Sequence, residues 1–164
     1  MGIFKSIPSG KQDVVSMGSM LNALCKSNRN KECIEMFNAM KRVYGIEPNL
    51  ICYAIVLTAC TNSTAFHFGR QIHRKLQRDP FLKWMLNDAE IQSPLISLYG
   101  KCGKLETAEG IFEDIKTREP VKYRSNISIW NAMIHAFGRN GNVERAKRLY
   151  HDAIATVGLK VVNE

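Results

Sequence analysis

Residues 130–141, WNAMIHAFGRNG, followed by NVERAKRLYHDA at 142–153, decide the fold of this chain. The first segment predicts a helix over about residues 127–139, because its apolar residues recur at helical spacing on one face: Trp130, Met133, Ile134 and Phe137. Gly141 supplies the left-handed backbone that helix ends commonly need, and a second amphipathic helix follows it. Each helix has a single apolar face, so this hairpin cannot form a core alone and requires neighbours.

The neighbours are upstream copies of the same hairpin. They are LISLYGKCGKLETAEGIFEDI (95–115), YAIVLTACTNSTAFHFGRQIHRKL (53–76) and MLNALCKSNRNKECIEMFNAM (20–40). One column of the second helix holds only small residues, which allows the two helices of a hairpin to cross closely: Cys33, Gly69, Ala108 and Ala146. Paired amphipathic helices repeating every 30-odd residues, roughly, predict an all-α, right-handed α-α superhelix whose first helices line one concave face.

Composition restricts the classes of function. The 164 residues are 45% hydrophobic, yet no apolar run approaches the roughly 20 residues that a membrane helix requires. The formal net charge of +8 favours an anionic partner, with nucleic acid as the first choice. The alternative is a basic protein whose charge has no specific partner.

Cysteines and histidines give no sign of catalysis or metal binding. The five cysteines form no C-x-x-C pair, so we expect core packing in a reducing compartment. The four histidines lie at helical positions without carboxylate or cysteine partners at catalytic or metal-ligand spacing: His67, His73, His135 and His151. The sequence therefore predicts no enzyme activity, no metal and no cofactor.

Repeat boundaries follow from the copies. We expect a partial repeat and connector at 1–13 and full repeats at 14–49, 50–88, 89–126 and 127–162. Because residues 2–7 resemble only the end of a second helix, the sequence suggests a fragment of a longer chain. Pro94 is expected within the first turn of its helix, where proline is tolerated.

Two junctions between repeats are enlarged. In RDPFLKWMLND (78–88), Pro80 is expected to begin a short helix with Phe81, Trp84 and Met85 on one face. This insert either packs on the convex side of the superhelix or contacts a ligand. The second enlarged junction, TREPVKYRSN (117–126), is basic.

Three segments carry a resemblance to a known family. GKCGKLETAEGIFEDI (100–115), WNAMIHAFGRNGNVERAKRLY (130–150) and LTACTNSTAFHFGRQIH (57–73) resemble pentatricopeptide repeats. The uneven repeat lengths resemble the mixed long-and-short class known from plant organellar RNA-editing factors. The resemblance implies sequence-selective binding of single-stranded RNA, one base per repeat, in a mitochondrion first of all or in a plastid. It also implies protein partners in an RNA-processing complex. The H-x-E and C-x-x-C signature of the deaminase domain found in some relatives is absent.

The resemblance also implies which side chains read bases. In the family one reader follows the aromatic residue of the first helix and the other closes the repeat. The pairs here are Gly18 with Asn49, Ala54 with Asp88, Ser93 with Asn126, and Asn131 with Val162.

These pairs differ in what they offer a base. Gly18 and Ala54 have no side-chain donor or acceptor, so the first two repeats should discriminate weakly. Ser93 with Asn126 resembles the adenine-favouring combination, and Asn131 resembles the pyrimidine-favouring start. The alternative for Ser93 is that it caps a helix ahead of Pro94.

Further positions bear on the RNA backbone and on stacking. Lys26, Lys101 and Arg139 each close a first helix, where a cation either contacts phosphate or complements the helix C-terminus. Val15 and Ile51 resemble the family residues that sandwich bases. Glu90 and Ser128 occupy that column in the later repeats, and Glu90 departs from the pattern because a carboxylate opposes phosphate.

The sequence thus predicts a non-catalytic module that binds single-stranded RNA in organellar RNA processing, editing or stability. The alternative is a protein-interaction scaffold that holds a peptide in the same groove. Salt dependence separates the two, since RNA binding weakens steeply with salt.

Overall fold

The computed structural model describes residues 13–63 and 65–157, and within them the chain is built from α-helices without a strand. The helices in chain order are α1 (Val14–Lys26), α2 (Asn30–Tyr44), α3 (Leu50–Asn62), α4 (Phe66–Arg78), α5 (Ala89–Lys101), α6 (Leu105–Arg118), α7 (Pro120–Ser125), α8 (Ile127–Arg139) and α9 (Val143–Val157). A 3-10 helix (Lys83–Asn87) lies between α4 and α5. The predicted all-α fold is confirmed.

Four helical hairpins account for most of these elements. We call α1, α3, α5 and α8 the first helices and α2, α4, α6 and α9 the second helices. Each first helix is 13 residues long and contacts its own second helix, and α1, α3 and α5 each contact the first helix of the next hairpin. Turn chemistry is also shared, because Asn28, Gly103 and Gly141 have positive φ values of 58°, 71° and 77° at the same place in their turns. Side-by-side first helices give the solenoid one continuous face.

The core consists of columns that recur in every hairpin. The fourth residue of each first helix is buried: Met17, Tyr53, Gln92 and Trp130. The eleventh residue of each second helix is buried as well: Met40, Leu76, Ile115 and Ala153. The column of small residues packs as predicted at Gly69, where an added Cβ would lie 3.3 Å from Cβ of Cys60 in α3 of the same hairpin. The same Cβ would lie 2.5 Å from a methyl carbon of Leu98 in α5, so the glycine also allows the next hairpin to approach closely. Ala146 in the same column is only half-buried.

The insert after α4 differs from the prediction. Its helix is a 3-10 helix that begins at Lys83, not a helix that begins at Pro80. Met85 is buried, whereas Phe81 is 87% exposed and Trp84 is 57% exposed, so the three do not share a buried face. A 3-10 helix places side chains about 120° apart, and only one of its rows can face α4 and α5.

The junction before α8 contains a helix that the sequence did not predict. Pro120 occupies the first turn of α7, and Tyr123 packs on the aromatic rings of Phe112 and Trp130. The indole nitrogen Nε1 of Trp130 donates to the backbone carbonyl of Tyr123 at 2.7 Å. Burial raises the pKa of the Tyr123 hydroxyl to about 12. These contacts fix the start of α8 against α6.

The alternative for Ser93 and the expectation for Pro94 are both wrong. The helix begins at Ala89 and is capped by Asp88, whose carboxylate accepts from the backbone N–H of Glu90 at 2.9 Å. Ser93 is therefore the fifth residue of the helix and not its N-cap. Pro94 is the sixth residue, beyond the first turn, where it removes one helical hydrogen bond. Within the described residues, no helix is both long enough and apolar enough to cross a membrane.

Candidate nucleic-acid interface

The groove of this protein runs along the first helices. We define it by the residues at helical spacing that line two adjoining clefts. They come from the ninth and thirteenth positions of all four first helices, the fifth position of α3, α5 and α8, and the second position of α5 and α8. The cleft between α3, α5 and α8 has a volume of about 480 Å³, and the cleft between α1, α3 and α5 has a volume of about 610 Å³. Ser93 and Pro94 line both clefts, which therefore form one path.

The fifth positions hold the predicted first readers. Trp130 is buried, and its successor Asn131 is exposed and lines the groove, as the sequence predicted. Ala54 lines the groove without a polar atom in its side chain, and Gly18 has no side chain. Ser93 lines the groove too, but its hydroxyl oxygen is buried and has no hydrogen-bond partner among the described residues. Of these four residues, Asn131 offers the most accessible hydrogen-bonding group.

Three of the four predicted second readers are helix N-caps. The side-chain oxygen of Asn49 accepts from the backbone N–H of Cys52 at 3.0 Å, and that of Asn126 accepts from Ser128 at 3.0 Å. Asp88 caps α5 in the same way. Capping occupies one oxygen of each side chain and leaves the amide N–H groups of the asparagines available. Asn126 lines the groove, whereas Asn49 and Asp88 do not. Val162 lies outside the described residues.

Three cations stand at the thirteenth position, and Asn62 takes their place in α3. Lys26, Lys101 and Arg139 are exposed and line the groove. Lys101 donates to the backbone carbonyl of Thr61 at the C-terminal end of α3, so it caps a neighbouring helix. Among the described residues, Lys26 and Arg139 have neither a hydrogen bond nor an ion pair through their side chains. Their charges are free to meet an anion.

The second positions are less uniform. Val15 and Ile51 are 69% and 59% exposed, which is unusual for large aliphatic side chains, but neither lines the two clefts. Glu90 and Ser128 occupy the same position in α5 and α8 and do line the groove. Among the described side chains that line the groove, Glu90 is the single acidic one, against the three cations Lys26, Lys101 and Arg139. The groove therefore has an excess of positive charge.

The sequence reasoning missed the ninth position. It holds a polar residue in all four first helices, and each lines the groove: Asn22, Thr58, Ser97 and His135. These residues follow the first readers by one helical turn, so helical periodicity alone would have found them. Asn131, His135 and Arg139 form one row on α8. The row combines an amide, an imidazole and a guanidinium over about two turns.

Three of the five cysteines and one of the four histidines are buried. Cys33, Cys52 and Cys60 are buried, and burial raises the pKa of both Cys33 and Cys60 to about 12, so these thiols stay protonated. His73 is buried as well, and its Nδ1 lies 2.8 Å from the hydroxyl of Tyr99. In the part of the chain that the structure describes, no group of three or more His, Cys, Asp or Glu residues is arranged to hold a metal ion.

Comparison with protein families supports the repeat assignment. A family model described as "PPR repeat family" matches residues 12–62, and one described as "PPR repeat" matches residues 93–119 and 128–154. Together these matches cover more than half of the chain. The chain belongs to the pentatricopeptide repeat family.

The chain is similar to several pentatricopeptide repeat-containing proteins of Arabidopsis thaliana. A putative member is 33% identical over 132 residues, which is 80% of this chain and 18% of the relative. A chloroplastic member is 31% identical over 91% of this chain and 18% of its own length. A mitochondrial member is 28% identical over 87% of this chain and 21% of its own length. The chain thus spans about a fifth of the length of these relatives.

A solved structure shows the same fold. The crystal structure of the pentatricopeptide repeat protein PPR10 from maize superposes with a TM-score of 0.69 at 23% sequence identity. The match covers 92% of this chain and 20% of the maize protein. The predicted helical superhelix is confirmed.

Proposed function

We propose that the groove binds single-stranded RNA, with one base near the fifth position of each first helix and phosphates near the thirteenth. The observation that carries this proposal is the alignment of four 13-residue helices, whose ninth and thirteenth positions all line one continuous groove, together with the fifth positions of α3, α5 and α8. Groups that recur from helix to helix suit a polymer with a regular repeat, and single-stranded RNA is such a polymer, with one nucleotide per repeat.

The lining of the groove favours RNA over an apolar peptide. Its ninth positions are polar in all four hairpins, and its thirteenth positions include three cations. A groove that binds an amphipathic peptide is expected to present apolar side chains instead. The protein-interaction scaffold therefore remains only as an outcome of the test below.

Base preference in this proposal comes from the fourth hairpin first. Asn131 has an exposed amide, which can both donate to and accept from a pyrimidine edge. Asn126 offers amide N–H groups at the edge of the third hairpin, beside Ser93, whose hydroxyl must rotate into the groove to reach a base. Asn49 and Asp88 contribute less, since neither lines the groove.

The module acts without catalysis in organellar RNA processing, editing or stability. Support comes from the family and from relatives named chloroplastic and mitochondrial. We place the protein in a mitochondrion or a plastid on this basis, where other proteins of an RNA-processing complex would join it.

A salt titration tests the proposal. The protein is titrated with fluorescently labelled single-stranded RNA pools at several salt concentrations, and the dissociation constant is followed by anisotropy. Stacking is worth roughly 1–3 kcal/mol per base, and a handful of bases less the ordering penalty gives affinities in the micromolar range. We expect the logarithm of affinity to fall with the logarithm of salt by about 0.7 for each phosphate contacted. Salt-independent binding, or no binding, would contradict the proposal.

A further inference from the structure

His135 stands in the middle of the row of polar groups on α8. It is the ninth residue of that helix, one turn after Asn131 and one turn before Arg139, and all three line the cleft between α3, α5 and α8. His135 is exposed. Residues four apart on a helix have Cβ atoms about 5–6 Å apart, so its imidazole and the Arg139 guanidinium can reach the same group in the groove.

His135 is the exception among the ninth positions. The other first helices hold Asn22, Thr58 and Ser97 there, whose side chains stay neutral at any physiological pH. The Thr58 hydroxyl already donates to the carbonyl of Ala54 at 3.0 Å. An imidazole, by contrast, changes from neutral to cationic within the pH range of cell compartments. Of the four ninth-position residues, His135 is therefore the one whose attraction for an anion depends on pH.

The ionisable groups that share the cleft with His135 are all cationic. Among the described residues that line it, α3 contributes no ionisable side chain, α5 contributes Lys101, and α8 contributes Arg139. Glu90 lines only the adjoining cleft. Helices α6 and α9 pack on the opposite face of α8, where their charged side chains line a separate cleft: Glu109, Glu113, Arg145, Arg148 and Asp152. No described carboxylate therefore competes with a ligand for His135 in its own cleft.

An RNA phosphate is the anion that suits this place. Lys101 already donates to the carbonyl of Thr61, whereas the guanidinium of Arg139 has neither a hydrogen bond nor an ion pair among the described residues. A phosphate held by Arg139 has further acceptor oxygens, and a protonated imidazole one turn away is a donor for one of them. Hydrogen bonds between charged partners are about twice as strong as those between neutral ones. The neutral imidazole makes the weaker contact.

We propose, on the basis of the RNA binding proposed above, that the protonated imidazole of His135 donates to the phosphate that Arg139 binds. Proton binding and RNA binding then strengthen each other, because coupling between two ligands is reciprocal. The bound phosphate favours the imidazolium, so the affinity for RNA rises as the pH falls through the range in which histidine gains its proton. RNA affinity at this groove is thereby regulated by the pH of the compartment.

Binding of oligouridine at two pH values tests the proposal. Fluorescently labelled oligouridine is titrated with the full chain at about pH 7.5 and at about pH 5.5, which lie on either side of the ordinary titration of histidine. Uracil does not titrate between these values, and circular dichroism verifies that the protein is folded at both. We expect affinity about three- to tenfold higher at the lower pH, the gain from one exposed charge-assisted hydrogen bond. The salt dependence should also steepen, by at most about 0.7 in slope.

Three variants assign the effect to one side chain. His135→Gln keeps a polar group that cannot become cationic, so its affinity should be equal at both pH values. His135→Lys carries a constant charge, so it should bind more tightly than His135→Gln at the higher pH and show no pH dependence. The matched control is His151→Gln, at an exposed histidine of α9 that lies outside the groove, and it should keep the pH dependence of the wild-type protein.

The imidazole signal of His135 provides a direct readout by NMR. Its pH midpoint should be higher with oligouridine bound than in the free protein, because the phosphate stabilises the charged form. A histidine with a purely structural role would not show this change.

Two kinds of result would overturn this inference, and they separate it from the function proposed above. Equal wild-type affinity at both pH values, pH dependence that persists in His135→Gln, or an unchanged NMR midpoint would leave RNA binding intact and exclude the role of His135. The first of these is the result expected if the imidazole stacks on a base instead. Absence of oligouridine binding at both pH values, together with absence of binding to the RNA pools, would overturn both proposals.

Discussion

The contact between α5 and α8 at Gly100 sets how closely the last two hairpins approach. A Cβ added at Gly100 would lie 2.3 Å from Cβ of Ala136 and 3.0 Å from its Cα. Because the Cα belongs to the backbone, no side-chain rotation relieves this clash, and α5 and α8 must move apart. Gly138 is the twelfth residue of α8 as Gly100 is the twelfth of α5, yet a Cβ there meets no atom within 4 Å. Gly100→Ala and Gly138→Ala therefore form a matched pair.

The expected free energies follow from two opposing effects. Alanine in place of glycine inside a helix stabilises by up to about 1 kcal/mol, and both variants gain this. Overpacking costs about 1–3 kcal/mol and applies only to Gly100→Ala. Gly138→Ala should thus raise the free energy of unfolding by up to about 1 kcal/mol, and Gly100→Ala should lower it by up to about 2 kcal/mol. The difference between the variants, about 1–3 kcal/mol, does not depend on the helix-propensity value.

Urea unfolding followed by circular dichroism measures this difference. At roughly 2–4 °C per kcal/mol for a chain of this size, the melting temperatures should also separate by several degrees. Repeat proteins can unfold in parts, so far-ultraviolet and near-ultraviolet transitions must coincide before free energies are fitted. Equal midpoints for the two variants, or a higher midpoint for Gly100→Ala, would show that the hairpins do not pack at this contact as described.

Three further predictions concern acid stability, base reading and the junction before α8. Burial lowers the pKa of His73, so below the ordinary histidine pKa the unfolded chain binds more protons than the folded chain. The free energy of unfolding should therefore fall as the pH drops below about 6.5. His73→Phe should flatten that part of the pH–stability profile. Asn131→Ala should reduce the preference for one base at one RNA position and change the general affinity little, whereas Arg139→Ala should weaken binding to every RNA and reduce the salt slope by about 0.7. Titrations with RNAs that differ at a single base measure both effects. If Arg139→Ala changes the base preference and Asn131→Ala does not, the assignment is wrong. Trp130→Phe removes the N–H that donates to the carbonyl of Tyr123 in α7 and should lower the free energy of unfolding in urea by about 1–3 kcal/mol. The control Trp84→Phe, at an exposed site, should change it little. Equal effects of the two variants would contradict this reasoning.

The periodic part of the fold was predictable because it rests on spacing. Apolar residues at fixed intervals placed Trp130 and Phe137 in the core, and the column of small residues located Gly69 at a close helix contact. The two inserted helices were not predictable in this way. The 3-10 helix depends on Met85 packing against α4 and α5, and α7 depends on Tyr123 packing on rings from two other helices. Tertiary contacts of this kind leave no local pattern.

The candidate interface was predictable to the same extent. A residue that follows a buried aromatic must point away from it, so Asn131 was placed correctly in the groove. That Asn49 and Asp88 cap helices and lie away from the clefts depends on how the hairpins stack. The same holds for the buried hydroxyl of Ser93.

The third hairpin differs from its neighbours at the residues around its expected base reader. Pro94 removes a helical hydrogen bond beside Ser93, and Glu90 brings a carboxylate to the same cleft. Ser93 also differs from Ser19 and Thr58, which are satisfied by carbonyls one turn back in their helices, because its hydroxyl has no described partner. The reader residue types alone therefore do not determine the base preference of this hairpin. In the fourth hairpin Asn131 is exposed, Arg139 is free of ion pairs among the described residues, and Ser128 replaces the carboxylate. The strongest single-base preference is expected there.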